Sequence, residues 1–279
     1  MMGRWFIVLL LPLAACGIPA APTLSDQQTR RLEQRARFWD QYERANQVNL
    51  AQNYRQAIPL YQAALKAQPN HEDARYHLGN CAFEVGDYSA ALAEFEELAR
   101  RHSHSSRALA QIGRLHSMPQ APELFDLAAA ERAFAAAQKI NQEETGPALS
   151  LGEVVLVRGD LPRAKQILEG VRTTNPRAAR AHFLCGYLAY LSRDGKRAAA
   201  DAARTTAALK PMKPPPTSAP SEGDTPKPPP PIPPDPRSLL GEFWVRLAQA
   251  DSHHLPSYAE FDQFLRRLRS KLKIPSAAN

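Results

Sequence analysis

Residues 78–98, which read LGNCAFEVGDYSAALAEFEEL, decide the fold of this 279-residue chain. Small residues stand at Gly79 and Ala91, a Gly-Asp pair begins at Gly86 between two helical stretches, and Phe95 follows one turn after Ala91. Two short helices approach each other closely only where their side chains are small. The stretch therefore predicts two antiparallel helices that cross at Gly79 and Ala91, with Phe95 filling the gap to the next pair.

The same arrangement recurs with a period of 34 residues. Gly79 lies 34 residues after Ala45 and 34 residues before Gly113, and the same interval separates Tyr61 from Phe95. A unit of this size cannot bury its own apolar face, so neighbouring units must stack and cover one another. The sequence therefore predicts a helical solenoid, with strands excluded from this region.

Five such units cover roughly residues 38–211. The third unit loses phase after Gly113, where Pro119 and Pro122 predict an enlarged loop between its two helices, and it regains phase at Phe134. The fifth unit has Ala202 where the first three have an aromatic residue, so we expect its second helix to pack less tightly. The other residues in phase are Ala57, Ala64, Pro69, Leu98, Ala130, Ala137, Cys185, Gly186, Ala198 and Pro211.

These units resemble the tetratricopeptide repeat. The resemblance rests on Leu78-Gly79, Gly86-Asp87-Tyr88, Ala91 and Phe95 in the second unit, and on Leu151-Gly152, Gly159-Asp160, Ala164, Leu168 and Pro176 in the fourth. It implies an all-α fold, a right-handed superhelix of about five repeats, followed by a proline-rich linker and C-terminal helices. It also implies a concave groove lined by the first helix of each repeat.

The resemblance assigns ten residues to that groove as partner-binding candidates. Asparagine amides can hydrogen-bond an extended peptide backbone, while tyrosine and tryptophan are frequent interface anchors. The alternative for each aromatic residue is a place in the core between repeats. The candidates are Trp39, Tyr42, Asn46, Tyr76, Asn80, Phe83, Arg107, Arg114, Tyr187 and Tyr190.

Two of these candidates fall where chaperone-binding repeats hold a terminal carboxylate. They are Asn46 and Arg107. Tyr42 stands in place of the lysine of that site and His77 in place of its second asparagine. We therefore do not expect a complete carboxylate clamp.

The N-terminus has the pattern of an export signal. Arg4 precedes an apolar run over residues 5–13, and small residues follow, which is typical of a secretory signal peptide. The stretch Leu13-Ala14-Ala15-Cys16-Gly17 resembles the bacterial lipobox, which implies acylation of Cys16. We expect residues 1–15 to be the signal peptide and 16–36 a lipidated tether. The alternative is ordinary secretory cleavage with an incidental cysteine.

Acyl chains on Cys16 would hold the protein on a membrane surface. Gly17 after this cysteine resembles lipoproteins that are sent to the outer membrane. The predicted location is therefore the bacterial cell envelope, lipid-anchored, with the body of the protein facing the periplasm.

Prolines dominate residues 212–236, and a basic tail follows over residues 237–279. The proline segment favours polyproline II, so it is either a semi-rigid spacer or a docking site for a polyproline-binding module. The tail contains an amphipathic helix that can bind an anionic membrane, dock on an acidic partner or fold back over the last repeat. Its basic residues are Arg266, Arg267, Arg269, Lys271 and Lys273.

The sequence shows no motif of an enzyme. It lacks a glycine-rich phosphate loop and a nucleophile elbow, and His102, His104, His253 and His254 have no second ligand cluster at zinc-site spacing. We expect no catalytic residue, no cofactor and no metal. Cys81 and Cys185 are predicted to lie buried and unbonded in different repeats.

Charge and motifs together predict an adaptor. The net charge of +7 permits anionic partners, although nucleic acid is not expected for an exported protein. The prediction is a non-enzymatic, membrane-anchored lipoprotein whose groove binds segments of envelope proteins. The alternative is a structural envelope protein that its basic C-terminal helix attaches to the membrane or to another envelope component. The sequence does not indicate the oligomeric state.

Overall fold

The computed structural model describes residues 25–209, 234–250 and 255–274, and every regular element in these ranges is a helix. Ten helices within residues 25–209 form five consecutive antiparallel pairs. Two further helices lie within residues 234–250 and 255–274. The helices are α1 (Asp26–Leu50), α2 (Tyr54–Ala67), α3 (Glu72–Glu84), α4 (Tyr88–Arg101), α5 (Ser106–His116), α6 (Leu127–Ile140), α7 (Thr145–Arg158), α8 (Leu161–Thr174), α9 (Ala179–Leu191), α10 (Gly195–Leu209), α11 (Gly241–Gln249) and α12 (Tyr258–Lys271).

Close helix approach at glycine joins the helices of a pair. A Cβ atom added at Gly79 would lie 2.8 Å from the ring of Phe95, and one at Gly113 would lie 2.8 Å from Phe134. Gly152 faces Leu168 in the same way, at 2.7 Å. Each of these glycines therefore lets a first helix rest directly on the large apolar side chain of its second helix. The all-α solenoid of five helix pairs is confirmed.

The third pair has the enlarged loop that the sequence predicts. Helix α5 ends at His116 and α6 begins at Leu127. Met118 and Ala121 of this loop are fully buried, and the His116 ring pairs with the carbonyl oxygen of Leu124 at 2.8 Å. The loop is therefore part of the core of the second and third repeats.

Helix α1 begins earlier than the sequence suggests. The predicted tether extends to residue 36, whereas α1 begins at Asp26. Ser25 and Gln28 form a capping box, in which the Gln28 side chain accepts a 2.8 Å hydrogen bond from the Ser25 amide. Because every residue from 25 to 37 is exposed, this part of α1 has no buried apolar stripe to reveal it in the sequence.

Residues 234–250 and 255–274, the C-terminal segment, fold back onto the solenoid. Helix α11 buries Phe243 and Trp244, and α12 buries Phe261 and Leu265, in one apolar core with residues of α7, α8 and α9. Of the three arrangements left open for the tail, the structure has the one in which it covers the last repeats. The predicted proline linker also ends earlier than expected, because residues 235–236 belong to the docked segment.

An aromatic residue of the C-terminal segment packs against the fifth repeat, which has no aromatic residue of its own at position 202. The Tyr258 ring of α12 occupies the space in front of Gly186, where a Cβ atom would collide with the tyrosine. The Tyr258 hydroxyl donates a 3.1 Å hydrogen bond to the carbonyl oxygen of Ala198 on α10. Tyr258 therefore fills the space that the small Ala202 side chain leaves in front of Gly186. This contact corrects the prediction that α10 packs less tightly.

Three predicted features lie outside the described residues. They are the signal peptide with Cys16, most of the proline linker, and the pair His253-His254. Within the ranges that the structure does describe, no helix has the length and apolar character needed to cross a bilayer.

Candidate functional site

The candidate site is the face formed by the first helices of the five repeats, α1, α3, α5, α7 and α9, hereafter the groove. The C-terminal segment divides it. The open groove consists of Trp39, Tyr42, Asn46, Tyr76, Asn80 and Arg107, none of which has a hydrogen bond, ion pair or ring contact with a described residue of the C-terminal segment. The covered groove contains Phe83, Arg114, Tyr187 and Tyr190, which do contact it.

Aromatic side chains hold Trp39 in place at the start of the open groove. Trp39 is 45% exposed, and its ring centroid lies 5.1 Å from that of Phe38 and 5.9 Å from that of Tyr42. Tyr42 in turn stacks on the buried Phe38 ring at 5.3 Å. The cluster thus presents a large aromatic surface to solvent at little further entropic cost on binding.

The two asparagines of the open groove differ in availability. The Asn46 side-chain oxygen accepts a 2.7 Å hydrogen bond from the Tyr61 hydroxyl, so Asn46 already takes part in holding α1 against α2. Burial raises the pKa of Tyr61 well above its usual value, which keeps this hydroxyl a donor. Asn80 is half-buried and makes no hydrogen bond with any described residue, so its amide can serve a ligand.

Arg107 is committed to acidic neighbours. It donates to Glu72 at 3.2 Å and to Asp73 at 2.6 Å, and its guanidinium carbon lies 4.6 Å from the Tyr76 ring centroid. The hydrogen bond from Arg107 holds the pKa of Asp73 below its usual value. His77 stacks near Tyr61, with centroids 5.8 Å apart. Arg107 and His77 are therefore both in contact with other side chains of the chain.

A charged network closes the covered groove at the second and third repeats. The guanidinium carbons of Arg114 and Arg237 lie 4.0 and 4.4 Å from the centroid of the buried Phe83 ring. Asp235 pairs with both arginines, and Glu84 accepts two hydrogen bonds from Arg237, at 3.1 and 3.2 Å. Burial raises the pKa of Asp235, but the hydrogen bonds from Arg237 and Arg114 outweigh it and leave the pKa below its usual value. Phe83 and Arg114 are therefore occupied by the chain itself.

The two tyrosines of the fifth repeat also face the C-terminal segment. The Tyr187 hydroxyl donates a 2.8 Å hydrogen bond to Asp262, and the Tyr187 ring meets Phe261 edge-on at 4.8 Å. Burial, followed by the Asp262 charge, raises the pKa of Tyr187 above its usual value. Tyr190 is 44% exposed, with its ring 6.0 Å from that of Tyr258.

The sequence analysis missed a buried acid in the covered groove. Glu153 of α7 is almost fully buried, 3.4 Å from Arg180, whose guanidinium carbon lies 5.7 Å from the Trp244 ring centroid. Burial raises the pKa of Glu153. Arg180 and Trp244 act in the opposite direction, but neither forms a well-aligned hydrogen bond with the Oε1 oxygen of Glu153.

A signal for the covered groove does exist in the sequence. Helix α7 buries every residue from Leu151 to Val157, and α9 buries every residue from Ala181 to Ala189. A helix that is apolar on all sides is covered on all sides. The first helices of repeats four and five therefore required a cover on their groove side, and α1 did not.

The basic residues of the tail are used differently from one another. Arg269 donates to the carbonyl oxygens of Val157 (2.9 Å) and Leu156 (2.7 Å) in the last turn of α7, where the negative end of the helix dipole favours a cation. Arg266 pairs with Asp262 of its own helix at 2.8 Å. Arg267, Lys271 and Lys273 are exposed. Phe261 and Leu265 are buried and Phe264 and Leu268 pack against the same core, so the apolar side of α12 faces the solenoid.

The remaining thiols and imidazoles have structural surroundings. Cys81 and Cys185 are unbonded and buried, and burial raises the pKa of each thiol to about 11. The His102 ring lies 3.1 Å from the carbonyl oxygen of Asn70 and so joins two loops. Among the described residues, no three His, Cys, Asp or Glu side chains are grouped so that they could hold a metal ion.

Comparison with known proteins defines the class of this fold. Residues 51–106 and 149–213 match the tetratricopeptide repeat family. The chain therefore carries tetratricopeptide repeats, which stack as an all-α superhelix.

Solved structures with this fold include bacterial proteins. MamA protein is 18% identical with a TM-score of 0.54, over 61% of this chain and 91% of that chain. The pilF protein of Pseudomonas aeruginosa is 19% identical with a TM-score of 0.53, over 64% and 81%. MamA residues 41 to the end, from Desulfovibrio magneticus RS-1, is 13% identical with a TM-score of 0.53, over 67% and 97%. At these identities the likeness concerns the fold alone, and no curated protein matches the chain.

Proposed function

We propose that this protein is a non-enzymatic scaffold that binds a segment of a partner protein in its open groove. The observation that supports this most is Trp39, which a fixed aromatic cluster holds half exposed on the groove side. The amide of Asn80 lies on the neighbouring first helix without a described hydrogen-bond partner. An aromatic anchor and an available amide on neighbouring first helices suit an extended peptide segment, whose side chain packs on the ring while its backbone bonds to the amide.

We further propose that acylated Cys16 anchors the scaffold in the bacterial cell envelope, at the outer membrane, where its partners are envelope proteins. The support is the residue order Leu13-Ala14-Ala15-Cys16-Gly17 after an apolar run. Incorporation of labelled palmitate into the wild type and its loss in Cys16→Ser, together with release from the membrane fraction, is the expected result. An unlabelled wild type would contradict the anchor.

The binding proposal is tested by site-specific crosslinking in the native host. A photo-crosslinking amino acid placed at residue 39 should capture a defined envelope protein, whereas the same amino acid at Gln56, which is exposed on the second helix α2 and so lies outside the groove, should not. The captured protein is then purified, and its affinity for the scaffold is measured directly.

A matched pair of variants completes this test. Trp39→Ala with Asn80→Ala should weaken binding of the purified partner at least about tenfold, because a tryptophan anchor contributes about 2 kcal/mol or more. Gln56→Ala, an exposed change on α2 outside the groove, should leave the affinity unchanged. Equal affinities for both variants would contradict a role for the open groove.

A further inference from the structure

The C-terminal segment begins with a compact turn that carries two charges into the groove. Ser238 donates its amide and its hydroxyl to the carbonyl oxygen of Asp235, at 3.1 and 2.9 Å. A Cβ atom at Gly241 would collide with the backbone carbonyls of Asp235 and Pro236, so the turn closes only over glycine. This turn directs Asp235 to Arg114 and Arg237 to Glu84.

An aromatic wedge follows the turn. Phe243 and Trp244 at the start of α11 are buried, with ring centroids 5.2 and 5.9 Å from that of Phe183 on α9. Phe261 of α12 meets the same Phe183 ring edge-on at 5.3 Å. With Tyr258, whose ring centroid lies 5.2 Å from that of Phe183, four rings of the segment surround one ring of the groove. A few buried aromatic anchors commonly dominate an interface in this way.

A third contact inserts Tyr258 into the hollow in front of Gly186. The repeat lacks its own aromatic residue there because position 202 is alanine. The tyrosine fills the hollow and bonds to Ala198. The aromatic side chain that packs against Gly186 thus comes from outside the five repeats.

The connection to the solenoid is long enough to make this segment a tethered ligand. Twenty-four residues separate Leu209 from Pro234. Because this covalent connection makes binding intramolecular, even a modest intrinsic affinity keeps the segment bound. Binding through side chains at three separate points, after a long connection, is the arrangement of a ligand on a receptor surface.

We propose that the covered groove is a second binding site and that residues 234–274 are its built-in ligand, which exchanges with an external protein segment of the same chemistry. Such a segment carries an acidic and a basic residue two positions apart, then a helix that starts with paired aromatic residues, then a tyrosine. The proposal rests on the scaffold function proposed above and gives that scaffold a second partner class, distinct from the ligand of the open groove.

The test uses the full chain with a protease site introduced between residues 210 and 233. After cleavage without denaturant, the C-terminal fragment should co-elute with the solenoid. A fluorescent synthetic peptide of residues 234–274 should then replace it. Dissociation of the fragment on cleavage without rebinding of the peptide, or no exchange over several days, would overturn the proposal; the latter would mark the segment as a permanent cover.

Peptide variants test the chemistry of recognition. Asp235→Ala with Arg237→Ala should weaken peptide binding at least tenfold, which corresponds to about 1.4 kcal/mol. Arg267→Ala with Lys271→Ala changes exposed residues and should leave the affinity within twofold. Equal weakening by both peptides would overturn the assigned contacts.

A receptor variant removes the remaining ambiguity. Gly186→Ala in the cleaved protein fills the tyrosine hollow and should weaken the wild-type peptide at least tenfold while circular dichroism stays unchanged. Unchanged peptide affinity would overturn the Tyr258 contact. Because the assay contains no envelope protein, failure of the open-groove proposal would leave these results intact, and failure here would leave the Trp39 test intact.

Discussion

Arg237 and Glu84, which are 153 residues apart in the chain, form a two-point ion pair with N–O distances of 3.1 and 3.2 Å. The pair fastens the C-terminal segment to the second repeat, whereas the aromatic contacts of that segment lie on the fifth. The C-terminal segment is thus held at both ends of the covered groove, by this ion pair at one end and by aromatic contacts at the other. Arg237 also packs on the Phe83 ring, which lies at the border with the open groove.

The Arg237–Glu84 pair should show energetic coupling. Arg237→Glu or Glu84→Arg alone should lower the free energy of unfolding by about 1 kcal/mol, because half-exposed pairs contribute modestly and reversal adds repulsion. The double reversal should recover part of that loss in urea unfolding followed by tryptophan fluorescence. Additive losses would contradict direct pairing, and Arg267→Glu serves as the control.

Glu153→Gln should stabilise the protein at neutral pH. Burial raises the pKa of Glu153 above 4.5, so its ionised form costs folding free energy at a pH above the folded-state pKa. The glutamine variant should gain on the order of 1 kcal/mol at pH 7, since an incompletely paired buried charge is removed. The gain should shrink as the pH falls through the folded-state pKa and should be lost below pH 4.5, where the wild-type side chain is protonated in both states. Thermal unfolding across this pH range measures it, and a destabilised variant at pH 7 would contradict the assignment.

Two glycines should respond to alanine in opposite directions. Gly79→Ala places a Cβ atom 2.8 Å from the Phe95 ring and should cost about 1–3 kcal/mol through overpacking. Gly170→Ala lies in helix α8, where a Cβ atom meets nothing within 4 Å, and should add about 0.5–1 kcal/mol. Denaturant unfolding of both variants compares them, and similar losses would contradict the role of Gly79 as the crossing point.

Mild acid should loosen the first two repeats. Burial lowers the pKa of His71 and of His77 below 6.5, and the neutral His71 ring accepts a 3.2 Å hydrogen bond from the Ala74 amide that caps α3. A histidine whose pKa is lowered by folding makes the folded protein less stable as the pH falls through 6.5 toward the folded-state pKa. The melting temperature should therefore fall between pH 7.5 and 5.5.

Histidine variants check the source of this acid effect. His71→Asn with His77→Gln should reduce the pH-dependent shift in melting temperature, since asparagine retains an N-cap acceptor without titrating. His104→Asn, in an exposed loop, should leave the shift as in the wild type. A shift of equal size in all three proteins would assign the acid effect to other groups.

The solenoid could be predicted from the sequence because the residues that determine it are close together in the chain and recur periodically. Gly79 and Phe95 lie 16 residues apart within one repeat, and the same pairing of a small with a large residue recurs at Gly152 and Leu168. The docked segment was one of several open possibilities, because its contacts join residues such as Tyr187 and Asp262, 75 positions apart across the proline-rich stretch. No periodic pattern encodes such a contact.

The candidate site was predicted in part for the same reason. The resemblance to the tetratricopeptide repeat placed Trp39 and Tyr187 on the same face, but it could not show that one is open and the other covered. The apolar character of α7 and α9 on every side held that information, as did Ala202, whose missing ring Tyr258 replaces. The higher apolar content of the first helices α7 and α9, compared with α1, would have indicated the division of the groove.

The central claim is that the C-terminal segment covers the groove at Phe83 and Arg114 and over the last two repeats, and leaves the groove around Trp39, Tyr76 and Asn80 open. Hydrogen exchange of the intact full chain tests it most directly. The account predicts that amides of α11 and α12 exchange at least a hundredfold more slowly than unprotected amides, because their protection derives from docking, and that Gly186→Ala speeds α12 selectively. Exchange of α11 and α12 at unprotected rates, while α7 and α9 stay protected, would contradict it.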